Sequence, residues 1–254
     1  MRLKGRIALI TGASRGLGAA MTARLMAPDH VLLGIARRND PAQVETARGR
    51  GARLEQWNVD LASSGAVAER LHGWLSTFDP TRVAGATLIN NAAVLTRVGA
   101  LEDGATDEIA TSLRVGLEAP LLLCAAFLRA TREWAAPRRI LNISSGLGRR
   151  AMAGQAPYCA VKAGLDHASR ALALDQAQRP NGAKVVSLAP GVIDTDMQVH
   201  LRAADPGGFP DKALFVGLKE SGQLASSADA AARVLAYLAR PDFGTKPVAD
   251  VRDT

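Results

Sequence analysis

The 254-residue sequence predicts an α/β fold, a single doubly wound parallel sheet with helices on both faces. Three observations carry that expectation. Short apolar, β-branched runs alternate with longer helical stretches along the whole chain. No linker or low-complexity tract divides them, so residues 1–254 read as one domain. Glycine-rich and polar clusters follow the apolar runs, at the carboxyl edge where sheets of this kind bind ligands.

Arg6–Thr11 reads as the first buried strand. The loop Gly12-Ala13-Ser14-Arg15-Gly16-Leu17-Gly18 and a helix from Ala19 to Met26 follow it. A strand, glycine loop and helix in that order set backbone N–H groups and a positive dipole end against a pyrophosphate. The second strand, Val31–Ala36, ends in Arg37-Arg38 instead of the acidic residue that would meet a ribose 2′-OH. Guanidiniums from Arg15 and Arg37 around a 2′-phosphate indicate NADP(H). Arg53–Asn58 is the third strand, and Asp60 beyond it offers a carboxylate to an adenine amino group. Ala62–Phe78 is helical, and Gly85–Ile89 is a fourth strand opening into Asn90-Asn91-Ala92-Ala93, whose small residues let backbone approach a flat ligand. The stretch from Thr106 to Trp134 contains a long helix with an apolar face through Ile109, Leu113, Leu117, Leu121 and Leu128, interrupted by a kink at Gly116 and Pro120.

Ile140–Ile143 is a fifth strand ending at Ser144-Ser145-Gly146, and Gln155-Ala156-Pro157 is a helix entry. Tyr158 and Lys162 are one turn apart on that helix and share a face. An ammonium beside a phenol favours the phenolate and is expected to pull the tyrosine pKa below about 10, which suits acid–base work. Ser145 is placed to hydrogen-bond a substrate oxygen. A sixth strand, Lys184–Leu188, leads into Ala189-Pro190-Gly191-Val192-Ile193-Asp194-Thr195. Residues 196–222 carry Pro206, Gly207, Gly208 and Pro210 in an irregular pattern and read as a mobile substrate lid. Ser227 caps a helix with Ala231, Val234, Leu235 and Leu238 on its face, and Gly244–Ala249 is a last strand before Asp250. Leu147, Met152, Met197, Leu201 and Phe209 give the substrate side a mostly apolar lining.

Composition narrows the function. Net charge is +7, from 31 basic and 24 acidic residues, but the basic residues fall as scattered pairs and aromatics make up only 4%. That distribution lacks the stacking platform and basic stripe of a nucleic-acid binder. No apolar run approaches the roughly 20 residues of a membrane span, and Met1–Arg6 lacks signal-peptide organisation, so a cytoplasmic protein is expected. Cys124 and Cys159 fit reduced thiols, and no Cys/His spacing indicates a metal. His30, His72 and His167 read as structural, while His200 is the histidine placed to reach substrate.

With these residues assembled, the chain resembles the short-chain dehydrogenase/reductase family over nearly its whole length. The glycine motif is Thr11, Gly12, Gly16 and Gly18, and the adenine-side aspartate is Asp60. Asn90-Asn91-Ala92-Ala93 carries Ala93 where the family has glycine. Ser145, Tyr158, Lys162, Pro190, Gly191 and Thr195 complete the pattern. The resemblance implies a Rossmann fold in which Tyr158 protonates a carbonyl as hydride arrives from the nicotinamide, Ser145 orients the carbonyl and Lys162 holds ribose hydroxyls. Gly12, Ser14, Arg15, Gly16, Leu17, Gly18, Arg37, Asp60, Asn91, Lys162, Pro190, Gly191 and Thr195 would contact the cofactor.

Gly116 departs from the pattern, standing where the family has the asparagine of a water-linked proton relay behind the lysine. The segments 188–198, 218–224 and 244–250 are similar to the sepiapterin reductase branch, whose substrate-anchoring carboxylate would match Asp250. Bacterial relatives of that branch reduce dicarbonyls such as benzil. Leu147, Met152, Met197 and Asp250 are thus the candidate substrate residues. Three functions stay open: an NADPH-dependent carbonyl reductase, a dinucleotide-binding sensor without turnover, and a 3-oxoacyl thioester reductase. The resemblance also implies a homo-oligomer, dimer or tetramer, paired through the long helix from Thr106 and the Tyr158 helix, where Ala163, Ala171 and Ala177 permit close packing.

Overall fold

In the computed structural model, which describes residues 5–253, seven strands form one parallel sheet in the order β3-β2-β1-β4-β5-β6-β7. They are β1 (Gly5–Thr11), β2 (Val31–Ala36), β3 (Arg53–Asn58), β4 (Val83–Asn90), β5 (Arg138–Ile143), β6 (Lys184–Ala189) and β7 (Val248–Asp250). The order reverses between β1 and β4, so the connections leaving these two strands run to opposite faces and open a crevice at the carboxyl edge. Register levels that edge. Ile10 lies beside Ile89, Asn90 beside Asn142 and Ile143 beside Leu188, which brings the loops after β1, β4, β5 and β6 to one rim.

Alternation along each strand feeds two apolar layers, as expected of a sheet covered on both faces. Ile7, Leu9, Leu88 and Ile140 pack with α3 (Ser64–Leu75) and with the long helix. Ala8, Ile10, Ile89 and Leu141 pack on the other side with α1 (Gly16–Leu25) and a late helix, Ser227–Ala239. Between β2 and β3 lies α2 (Pro41–Gly49), which was not anticipated; Asp40 caps it by accepting from Ala42 N and Gln43 N.

The long helix meets one expectation and departs from two. It continues through Gly116 and Pro120 instead of ending there: α4 (Thr106–Leu113) passes into α5 (Ala119–Ala130) through a π turn at Arg114–Glu118, so one helix spans Thr106–Ala130. Its buried face runs through Ser112, Val115, Ala119, Leu123, Ala126 and Phe127, whereas Leu113 and Leu121 are 39% and 45% exposed. The apolar residues extend around more than one face, so leucine positions alone do not mark the core: Leu123 is buried where Leu113 and Leu121 are not, and the small Ala119 and Ala126 allow close approach there. Among the described residues it is also the one helix whose length and mean hydropathy of 1.5 match a membrane span, with half of the window buried in the fold.

The lid is a folded unit. Residues 196–222 contain α7 (Asp196–Ala203) and α8 (Lys212–Glu220), and a third apolar cluster of Val98, Met152, Leu201, Phe209 and Phe215 ties them to the body. Phe209 and Phe215 stack with ring centroids 5.5 Å apart. The Pro206–Pro210 stretch interrupts the helical period and hides this pattern in the sequence. After α9 (Ser227–Ala239), β7 forms later than expected, at Val248–Asp250, because Gly244 adopts a turn conformation with φ +95°.

Candidate active site

Every residue singled out for cofactor, catalysis or substrate in the family pattern lines one cleft of about 890 Å³ along the carboxyl edge. Its first wall is the glycine loop. Gly12 and Gly16 have positive φ, and a Cβ on Gly18 would run into the Gly12 carbonyl oxygen. Arg15 at the start of α1 makes no side-chain cap, so the first-turn amides are left to an anion. Asn91 supports this loop from behind: its Nδ2 donates to Thr11 O at 2.9 Å, while Thr11 Oγ1 accepts from Asn91 N and Ala92 N. The cradle therefore fits a dinucleotide pyrophosphate. Gly12, Ser14, Gly16, Leu17 and Gly18 would hold it, Asp60 would meet its adenine, and Pro190, Gly191 and Thr195 would meet its nicotinamide end.

The arginines divide. Arg37 and Arg38 are exposed in the cleft just beyond β2, with no carboxylate at that strand end. Arg15 instead forms an ion pair with Asp196, the first residue of α7, across the mouth of the cleft. Asp60 uses Oδ1 to accept from Ala62 N at 2.9 Å, which holds its carboxylate at the rim.

Ser145 leaves β5 in extended conformation, and its Oγ accepts from Leu147 N at 3.2 Å. Tyr158 and Lys162 project from α6 (Ala156–Ala177), and both are buried. The lysine Nζ donates to Ile143 O at 2.8 Å and lies 5.5 Å from the tyrosine ring centroid. The expected downward pull on the phenol is reversed. Burial pushes the Tyr158 pKa up to about 12, with the Ser145 hydroxyl acting against that rise. Burial also lowers the Lys162 ammonium to about 8, with Asp166 acting upward. Taking both charged forms out of water outweighs the pairing that one-turn spacing suggested. The arrangement is thus a protonated phenol, a hydroxyl and a buried cation converging on one point.

On the substrate side, Leu147, Met152 and Met197 line the cleft as expected, together with Leu201 and Phe215. Phe209 is fully buried behind them and does not line it. His200 also faces away, with Nε2 hydrogen-bonded to Thr96 O at 3.2 Å, and so fastens α7 to the loop after β4. Asp250 reaches the cleft, but its oxygens already accept from Arg252 Nε at 2.8 Å and Nη2 at 2.6 Å. That guanidinium holds the Asp250 carboxyl below the usual carboxylate range. Arg252 and Phe215 were missed by sequence reasoning: one lies two residues beyond Asp250, the other behind the Pro-Gly stretch.

Behind the lysine, Gly116 is buried in the π turn against Val161 of α6. A Cβ there would lie 2.5 Å from Val161 Cγ1.

A family model for short chain dehydrogenases matches residues 6–206. The chain belongs to the short-chain dehydrogenase/reductase family. Benzil reductase ((S)-benzoin forming) of Bacillus cereus is 30% identical over 221 residues, covering 87% of this chain and 89% of that protein. The 3-oxoacyl-[acyl-carrier-protein] reductase FabG of Pseudomonas aeruginosa is 34% identical over 208 residues and 80% of each chain. A crystal structure of 3-oxoacyl-[acyl-carrier protein] reductase from Brucella melitensis in complex with NAD shares the fold, with a TM-score of 0.80 and 24% identity over 99% of this chain and 96% of that one. As a short-chain dehydrogenase/reductase the protein is an oxidoreductase of the carbonyl reductase type, and its cofactor is a nicotinamide dinucleotide. When bound, that cofactor supplies the hydride. The protonated Tyr158 phenol, the Ser145 hydroxyl and the Lys162 ammonium line the same cleft as the glycine loop that would hold that cofactor.

Proposed function

We propose that this protein uses NADPH to reduce a flat, uncharged dicarbonyl of the benzil type, with Tyr158 as the proton donor. The carrying observation is the substrate end of the cleft, where Leu147, Met152, Met197, Leu201 and Phe215 surround the approach to Ser145 and Tyr158. Aromatic rings gain from such a lining, at roughly 25 cal/mol for each Å² of apolar surface removed from water. The pterin alternative has less support, because its anchor Asp250 is matched by Arg252 in a bidentate pair. Choice of NADPH over NADH rests on Arg37 and Arg38 at the end of β2.

The test is a substrate panel with both cofactors. Purified protein is expected to oxidise NADPH with benzil faster than with a 3-oxoacyl thioester or a pterin. Arg37→Asp should weaken NADPH binding by more than about 1 kcal/mol, as a charge-assisted contact becomes a repulsion, and should spare NADH. A preference for the thioester would support the acyl reductase reading. Tight NADPH binding without turnover on any carbonyl would support a sensor, the reading that the filled space at Gly116 favours.

We also propose a homo-oligomer working in the cytoplasm. Leu113, Leu121 and Leu122 on the long helix and Leu174 on α6 are exposed, and they extend the two helices expected to pair with a second copy. Cys124 and Cys159 are free thiols, as a reducing compartment would leave them. Sedimentation at micromolar concentration should show a mass at least twice the 26.6 kDa of one chain, and a monomer would refute the assembly.

A further inference from the structure

Asp166 follows Lys162 by one turn of α6 and is 1% exposed. Its Oδ1 accepts from Ser144 Oγ at 2.5 Å and from Ser187 Oγ at 2.6 Å. Oδ2 has no hydrogen bond, although Arg149 Nε lies 3.4 Å from it. Gly148 packs so closely that a Cβ on it would lie 2.7 Å from Oδ2 and 3.0 Å from Lys162 O. Arg149 also donates Nη2 to Ala249 O at 3.2 Å. One carboxylate therefore meets the residue before Ser145, the loop after it and β6, and through Arg149 it is linked to β7.

Cohesion explains the charge only in part, because its countercharge Arg149 is itself one-third exposed. A buried carboxylate is costly even when paired, and a neutral amide could accept from the same two hydroxyls at a smaller desolvation cost. The other buried ion on this face is Lys162, which donates to a neutral carbonyl, Ile143 O. Facing Asp166 are Lys162 on its own helix, Ser144 and Arg149 from the segment after β5, and Ser187 from β6. Facing Lys162 are Tyr158 and Asp166; the aspartate lies one helical turn on, on the same buried face of α6, where little water is left to screen its charge.

We propose that Asp166 is a positioning residue: its negative charge keeps Lys162 protonated at working pH, while its hydroxyl partners hold the Ser145 loop in place. The inference rests on Lys162 being the cation that binds the cofactor's ribose, and it is independent of which carbonyl is reduced. Burial alone drives the lysine toward its neutral form, leaving it near 8 even with the aspartate opposing.

The experiment measures the NADPH dissociation constant by fluorescence from pH 7 to 10 for the wild-type protein, Asp166→Asn and Ser187→Ala. Lysine loses its charge as pH rises, so binding falls on the alkaline side. Asp166→Asn should move that fall to lower pH by about one unit, which is a tenfold loss at pH 9 and a much smaller one at pH 7. Ser187→Ala removes a hydroxyl from the same oxygen with the charge intact, and should lower Tm while leaving the midpoint of the fall unchanged. Equal weakening of Asp166→Asn at every pH would reduce the residue to a structural strut and overturn the proposal.

If Asp166→Asn does not fold, Arg149→Met carries the test in the other direction. It removes the aspartate's countercharge, so the fall should move to higher pH, and a fall that stays put or moves lower would overturn the proposal. The readout is binding, so it decides on Asp166 even if benzil proves not to be a substrate.

Discussion

Replacing Tyr158 with phenylalanine is expected to lower carbonyl reduction by roughly 10²–10⁴-fold, the range for losing a positioned general acid, and to leave NADPH affinity and Tm at wild-type values. The ring is buried on α6 and the substitution keeps it, so packing is preserved and only the hydroxyl is lost. No neighbour replaces that donor. The Ser145 hydroxyl is a weak acid that caps its own loop, and Lys162 Nζ is committed to Ile143 O. With its pKa pushed up to about 12, the phenol holds its proton throughout the neutral range and can donate it to the oxygen that gains charge during reduction. A loss of rate from Tyr158 ionisation should therefore appear only near pH 12, whereas the ammonium of Lys162 is lost as pH rises through about 8. Steady-state rates from pH 6 to 10 check the fall through about 8 that belongs to Lys162. Activity within a few-fold of wild type in the Phe variant would remove Tyr158 from the chemistry.

Placing asparagine at Gly116, as the family resemblance would have it, should make the protein worse. The new Cβ would lie 2.5 Å from Val161 Cγ1, and valine is stiff at χ1, so it cannot swing aside as a long flexible side chain would. Overpacking of this kind costs about 1–3 kcal/mol, and a chain of this size loses roughly 2–4 °C of Tm for each kcal/mol. Val161 sits between Tyr158 and Lys162 on α6, so relieving the clash by moving that turn would also disturb the catalytic pair and lower kcat. Adding Val161→Ala to Gly116→Asn removes the obstructing atoms and should recover most of the lost Tm. A single Gly116→Asn variant as stable as the parent and faster than it would show that the π turn accommodates the side chain and that the relay had simply been missing.

Much of the site was legible because its signals are local. A strand, a glycine loop and a helix occur within twenty residues of Arg6, and Tyr158 and Lys162 lie one helical turn apart, so a single backbone conformation brings each group together. The carboxyl-edge position of each cluster then follows from parallel strands alone. Hydropathy failed on the long helix, where Leu113 and Leu121 are exposed while Ala119 and Ala126 are buried. It also failed on the lid, whose Pro206–Pro210 stretch masks two helices.

Sequence by itself determined the α/β class, the proximity of Ser145, Tyr158 and Lys162, and the glycine-loop side of the cleft, because short-range spacing and strand order suffice for these. Tertiary structure decided that Arg15 meets Asp196 and that Arg252 occupies Asp250. It also decided that Val161 fills the space beside Gly116 and that Asp166 lies buried with Ser144 and Ser187. It reversed the direction of the Tyr158 pKa as well. The reason is common to all of these: ion pairing, steric exclusion and desolvation depend on how far apart groups lie and how much water is left around them, and most of these partners come together only when distant segments of the chain pack.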